Sequence, residues 1–409
     1  MTTGLSASAD VVVVGAGIVG LAVAREILRR HRDLTMIVVE AESDVARHQT
    51  GHNSGVIHSG VYYSPGSLKA RLCVEGSSLM YDYCDEHAIA YERCGKLIVA
   101  LDDDEMAGLD ELERRGRANL VPGLRRLRAD EIADVEPGCR GVAALHSPNT
   151  GIVDYHRVAS TMARELRDQG VTFHFDTRVR SLERSGGITT LHTDTGALRA
   201  SYVVSCAGLW SDRLAVGAGA DPDPRIVPFR GAYLTLNKTS HPVVRGLVYP
   251  VPDPALPFLG VHVTRLINGD VVLGPSALLV FARDGYRVST LRWRDVVDTV
   301  TWPGTWRLAR HFWRAGAREI MMATSRRRFL DDVARYVPAA REVGVREGFS
   351  AGVRAQALAA DGTLVDDFVL SETAGALHVR NAPSPAATSS LALAREVVTR
   401  IEASSDWRS

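Results

Sequence analysis

Ten residues near the start of the chain, Val11 to Gly20, constrain it more than any other stretch: VVVVGAGIVG. Four consecutive valines suit a strand buried on both faces, and an apolar run at helical spacing, Leu21 to Leu28, follows them. Gly15, Gly17 and Gly20 lie between as GxGxxG. Gly15 permits a tight strand-to-helix turn, Gly17 lets a pyrophosphate approach the backbone, and Gly20 lets helix and strand pack closely. The helix start then offers unpaired N–H groups and the positive end of its dipole to phosphates. A second apolar run, Met36 to Val39, ends at Glu40, twenty residues past the last glycine. A carboxylate there can accept hydrogen bonds from the hydroxyls of an adenosine ribose. Together these features read as a dinucleotide site at the head of a Rossmann-like α/β domain.

Length and composition bound the rest. At 409 residues the chain exceeds what one domain usually holds. Its 48 basic and 48 acidic residues cancel, which argues against a nucleic-acid partner. The five cysteines (Cys73, Cys84, Cys94, Cys139, Cys206) form no CxxC pair, and read as reduced thiols of a cytoplasmic protein. Met1 to Asp10 lacks the basic region of a signal peptide, and Val11 to Ala24 is too short to span a bilayer, so a soluble protein is expected. After Glu40 comes RHQTGHNSGVIHSGVYY, Arg47 to Tyr63, a stretch of short donors and acceptors suited to wrapping a polar ligand. His48, His52 and His58 fall within it, but no carboxylate or cysteine stands at ligand spacing among them, and no metal is assigned.

Further along, Leu68 to Asp85 has helical periodicity, and Glu92 to Leu101 reads as a strand entering a second sheet. Helices are expected over Asp104 to Arg117, Ala129 to Glu136 and Val158 to Gln169, the last stopped by Gly170, and strands over Val171 to Phe175 and Thr177 to Leu182. Tyr202 to Cys206 is a buried strand running into Ala207-Gly208, a small-residue turn that lets backbone pass close to a ligand. Trp210 beside it reads as a core residue in preference to a cover for the adenosine edge. Ile226 to Leu236 and Leu247 to Thr264 break into strand-length pieces, the antiparallel sheet of an inserted substrate domain. His262 and Arg265 alternate with apolar residues there; His262 is equally readable as a bonded core histidine or as a site residue. The chain closes with a strand, a loop of small residues and a helix beginning near Thr388.

GAGIVG, Glu40 and TGHNSGVIHSGVYYSPGSLKA, with VPDPALPFLGVHVTR, GVRAQALAADGTLVDDF and HVRNAPSPAATSSLALAREVV later on, resemble the FAD-dependent L-2-hydroxyglutarate oxidases and dehydrogenases. These belong to the wider D-amino-acid-oxidase-like flavoproteins. The resemblance implies a discontinuous FAD-binding domain (1–90, 150–220 and 345–409) with a substrate domain (91–149 and 221–344) inserted into it. It implies FAD contacts at Thr50, His52, Asn53 and Ser54, at the Val179 backbone beside the adenine, at Ala207 and Gly208, and in the C-terminal loop at Pro383, Ser384, Ala386 and Thr388. That last helix start, set beside the flavin pyrimidine, would stabilise negative charge on the reduced ring.

The function expected is oxidation of an L-2-hydroxy acid, L-2-hydroxyglutarate first among them. His58 is the first choice of base and His262 the second, because an imidazole takes and releases a proton near neutrality. Arg354, Arg265 and Lys69 are the cations for the acid's charges, with Tyr62 and Gln356 beside them. Arg354 and Gln356 are expected at the start of a strand. Oxidation of an amino acid or other amine is the alternative, and a non-catalytic flavin-binding module a third reading. The electron acceptor stays open between oxygen, a quinone and a carrier protein. From Thr301 to Leu330 seven arginines face one Glu among tryptophans. Helix pairs with solvated arginines are the preferred reading, and peripheral contact with the inner face of a membrane the other.

Overall fold

The computed structural model describes residues 5–239, 243–253, 260–346 and 350–404. The valine run forms the centre of an eight-stranded sheet. The strand Leu5–Val14 pairs in parallel with Met36–Val39 on one side and Gly196–Ser205 on the other. Thr172–His174 extends the sheet beyond Met36–Val39, and Ala376–Asn381 runs parallel to Gly196–Ser205. Strand alternation explains the unbroken apolar run. Val11 and Val13 face the cluster made by helices Ile18–Arg30, Leu68–Glu86, Tyr155–Asp168 and Ala386–Ser404, while Val12 and Val14 face a second cluster with Leu191, Leu198 and Leu214.

A nine-stranded, largely antiparallel sheet forms the other half, in the order 278–279, 225–235, 271–274, 262–265, 247–250, 96–100, 143–147, 125–128, with Ser350–Leu358 paired to Arg225–Thr235. This last pairing corrects the boundary expected at 345, because Ser350–Leu358 lies in the inserted sheet and the return to the FAD-side sheet follows it. It also places Arg354 and Gln356 in mid-strand. Part of the expected Val251–Arg265 match, residues 254–259, and Phe349 lie outside the described residues. The helix expected from Val158 starts at Tyr155, where the Asp154 carboxylate accepts from the His156 and Arg157 N–H groups.

The basic aromatic segment forms the helices Pro303–Thr324 and Arg326–Ala334, the first with a non-helical residue at Phe312. Trp302 is buried and donates to the Leu358 carbonyl at 2.9 Å, whereas Trp306 and Trp313 are exposed. No helix among the described residues is long and apolar enough to cross a membrane.

A buried ion pair fixes the wall between the two halves. Arg283 is wholly buried and bonds both carboxylate oxygens of Asp212, and its backbone N–H donates to Asp295 at 2.8 Å. Burial pushes the Asp212 carboxyl up, but Arg283 outweighs it and holds the group below its ordinary value. Arg283→Met is therefore expected to destabilise the protein by about 3–5 kcal/mol, measured by urea unfolding, because Asp212 is left as an uncompensated buried charge. A variant within 1 kcal/mol or so of wild type would show the pair to be dispensable.

Candidate active site

A cavity of about 780 Å³ runs between the two sheets, lined by residues from every quarter of the chain. Its inner end is built by the glycine turn. Gly15 has φ +103°, and a Cβ on it would meet the Cys206 carbonyl oxygen at 2.5 Å. A Cβ on Gly20 would lie 2.0 Å from the Gly15 oxygen, so helix and strand meet here with no room for a side chain. The nearest atom to a Cβ on Gly17 would be Thr50 Oγ1 at 3.3 Å. Glu40 follows its strand directly into the cavity, where its carboxylate accepts from the Ala16 N–H at 2.7 Å and the Glu42 N–H at 3.0 Å. The side chain is thereby fixed with its remaining acceptor capacity available.

The polar loop lies along the middle. Thr50 Oγ1 accepts from the Ile18 N–H at 3.0 Å, and Asn53 closes the loop on itself, donating to the Thr50 carbonyl at 2.6 Å and accepting from Gly55 at 2.8 Å. The three histidines take separate partners. His48 bonds the Tyr286 hydroxyl and Glu42, His52 bonds the His48 carbonyl, and His58 lies further on at the reacting end. Gln49, which sequence reasoning missed, accepts from the Ala355 N–H at 2.9 Å and so ties the loop to the strand that carries Arg354. Val179, Ala207 and Gly208 line the cavity. Trp210 does too, with Arg178 4.7 Å over its ring and His48 at its edge, and it also packs against the core cluster of Leu209 and Ile226, so it serves both cavity and core.

At the far side, Ser384, Ala386 and Thr388 line the cavity at the start of the C-terminal helix, while Pro383 is buried behind the loop and off the lining. Thr388 ties the site together: its hydroxyl bonds Tyr155 Oη at 3.0 Å and accepts from the His58 backbone N–H at 3.1 Å. That hydroxyl is spent on positioning the loop that carries His58.

His58, His262 and Arg354 come together at the reacting end with Tyr233 and Tyr249. Burial drives the His58 imidazole well below its ordinary pKa, and the cations Lys96, Lys69 and Arg354, with His262, drive it further. It is a neutral imidazole, and its Nδ1 has no partner among the described residues. His262 stacks on Tyr249 with ring centres 3.9 Å apart and donates from Nδ1 to the Gly260 carbonyl at 3.1 Å. Burial pushes it down to about 3, so it too is neutral.

Four expected substrate contacts are off the cavity lining. Arg265 stands three positions after His262, on the opposite face of the strand, and pairs with Glu92 at 2.6 Å. Gln356 lies two residues beyond Arg354, about 7 Å along the strand, and donates to the Val365 carbonyl at 3.0 Å. Lys69 is neutralised by Asp366 at 2.6 Å and acts on His58 only through its field. Tyr62 packs beside Tyr249, outside the lining. Sequence reasoning passed over Lys96, a charge opening the otherwise apolar strand KLIVA; it too is off the lining, behind Tyr249.

A carboxylate fixed at the ribose position, two helix starts and a turn with no room for side chains fit an adenine dinucleotide. The sequence profile described as FAD dependent oxidoreductase (DAO) matches residues 10–400. The chain belongs to this family of FAD enzymes. This DAO-family oxidoreductase is 46% identical over 410 residues to the mitochondrial L-2-hydroxyglutarate dehydrogenase of Nematostella vectensis, covering 96% of this chain and 90% of that one. It is 44% identical to the human protein of that name (97% and 89% covered). The L-2-hydroxyglutarate dehydrogenase of Indibacter alkaliphilus is 42% identical, with 94% and 96% covered. Among solved structures, the Mycoplasma pneumoniae L-alpha-glycerophosphate oxidase with FAD bound has the same fold, with a TM-score of 0.77 at 23% identity, covering 97% of this chain and 95% of that one. FAD is the cofactor, and Glu40, the glycine turn, residues of the 47–55 loop and the two helix starts line the cavity where they could hold it.

Proposed function

We propose that this protein oxidises L-2-hydroxyglutarate to 2-oxoglutarate. The observation that carries the reading is a neutral, buried His58 sharing one end of the FAD cavity with Arg354. It is supported by relatives named for that reaction at 42–46% identity. When bound, FAD supplies the acceptor for the two electrons and one proton that leave the carbinol carbon. His58 accepts the hydroxyl proton, so the alcohol loses two electrons and two protons in all and becomes the ketone. Arg354 holds a carboxylate of the acid and fixes the carbinol carbon, since a guanidinium offers paired donors in one plane. The enclosing tyrosines exclude water and strengthen both interactions. With an artificial dye acceptor, one 2-oxoglutarate should form per two electrons delivered. Flavin-replete protein that forms none from L-2-hydroxyglutarate would remove this reading.

A peripheral membrane contact is a second proposal, supported by the exposed side chains of one segment. Of eleven exposed large hydrophobic side chains among the described residues, eight fall between Val288 and Met321, including Trp293, Trp306 and Trp313. Exposed arginines, Arg294, Arg310 and Arg314 among them, stand between them. Tryptophan beside arginine suits an anionic headgroup layer. Binding to anionic vesicles should be seen at low salt and fall as salt rises. Absence of cosedimentation at low salt would leave these arginines simply solvated.

A further inference from the structure

One ammonium near the reacting end has no carboxylate partner among the described residues. Lys96 opens a strand whose five residues are all buried, and it shares a face with Ile98, which belongs to a cluster with Val61 and Leu109. A charge in such surroundings is costly unless something pairs with it. Its Nζ lies 4.3 Å from the Tyr249 ring centre and 5.2 Å from that of Tyr62, whose faces replace only part of the lost water. Among the described residues the Lys96 side chain makes no hydrogen bond and no ion pair. Lys69 and Arg265 differ, each being neutralised by a carboxylate at 2.6 Å. The Tyr62 hydroxyl is likewise buried without a partner among the described residues. Tyr249 connects this pair to the site, since it lines the cavity and stacks on His262. Lys96 is also the charged group with the largest influence on His58. Just behind Tyr249, off the cavity lining, the reacting end thus has a cation and a hydroxyl whose side chains find no hydrogen-bond partner among the described residues.

We propose that Lys96 is the specificity-determining cation for a second carboxylate, so that the site selects dicarboxylic over monocarboxylic 2-hydroxy acids. This rests on the hydroxy-acid oxidation proposed above. Arg354 holds one carboxylate, and the other is drawn against the Tyr249 wall by the Lys96 charge 4.3 Å behind that ring. Burial pushes the Lys96 ammonium down to about 8, and only the Cys73 and Cys94 thiols favour its charge. The incoming carboxylate relieves that penalty, so the ion pair forms on binding. A merely structural lysine would behave oppositely, with its removal loosening the empty protein.

The test uses FAD-loaded protein, anaerobic flavin reduction, and two probes: L-2-hydroxyglutarate and L-2-hydroxypentanoate, which has a methyl where the second carboxylate stands. Wild type should half-saturate with the diacid at about 10²-fold lower concentration, the scale expected for a desolvated charge pair. Lys96→Met should bring the two half-saturation values to within a few-fold of each other, and Lys96→Arg should restore part of the preference. Without substrate, Lys96→Met should unfold at the same or a higher temperature than wild type. If Lys96→Met fails to fold, the loss counts against the proposal, and Lys96→Gln supplies the preference measurement. Retention of the diacid preference in a folded Lys96 variant overturns the role of Lys96 alone. Failure of the wild type to be reduced by either acid overturns the hydroxy-acid reading itself.

Discussion

His58→Ala is expected to slow anaerobic flavin reduction by about 10²–10⁴-fold, the range for loss of a positioned general base. The protein should stay yellow, because the bond that places this segment runs from the His58 backbone N–H to Thr388 and survives the substitution. Substrate should still bind, so the loss belongs to the rate at saturation. The pH dependence follows from the same burial. Desolvation, then Lys96 and the other neighbours, holds the His58 pKa well below 6.5. A lowered pKa means the neutral, proton-accepting form persists as pH falls. The acid limb of the second-order reduction rate, which reports the free enzyme, should lie below pH 6.5. A limb at or above 6.5 would show that the imidazole is not enclosed as described. If His262→Ala abolishes reduction while His58→Ala leaves it intact, the base is His262.

Glu40→Arg is expected to yield colourless protein that retains FAD at least 10²-fold more weakly. The carboxylate bonds two backbone N–H groups, that of Ala16 in the glycine turn at 2.7 Å and that of Glu42 past the second strand at 3.0 Å. Hydrogen bonds to a charged group are worth roughly 1.5–3 kcal/mol each, and arginine can accept neither of these nor any from the ribose hydroxyls. Glu40→Gln keeps an acceptor and should fall between the two. The check is the ratio of flavin absorbance to protein after purification, followed by titration of the apoprotein with FAD. Stoichiometric FAD in Glu40→Arg would mean that the carboxylate does not serve the cofactor.

What the sequence disclosed and what it hid divide by distance along the chain. The valine strand, the glycine turn and Glu40 are legible because the geometry they require is local: a turn of six residues and one short strand beyond it. The C-terminal return was readable from its small-residue loop and helix. Arg265 was misread because His262 and Arg265 look like neighbours in sequence, whereas three positions along a strand place them on opposite faces. Gln356 shares a face with Arg354 but is carried too far along. Gln49 bonding Ala355 joins segments about three hundred residues apart, and no local pattern encodes that. Lys96 carried a faint signal, a charge in an apolar strand, whose meaning depends on the tyrosines that Tyr62 and Tyr249 bring from elsewhere.

The central claim, a neutral base and a cationic clamp serving FAD-dependent oxidation of a 2-hydroxy acid, is most directly tested by single-turnover bleaching. The purified yellow protein is mixed anaerobically with L-2-hydroxyglutarate, its D-enantiomer, glycine, L-proline and L-glutamate, and flavin absorbance is followed in each. L-2-hydroxyglutarate should bleach the flavin fastest and leave one 2-oxoglutarate per flavin. Faster bleaching by any of the amino acids, with L-2-hydroxyglutarate inert, would contradict it.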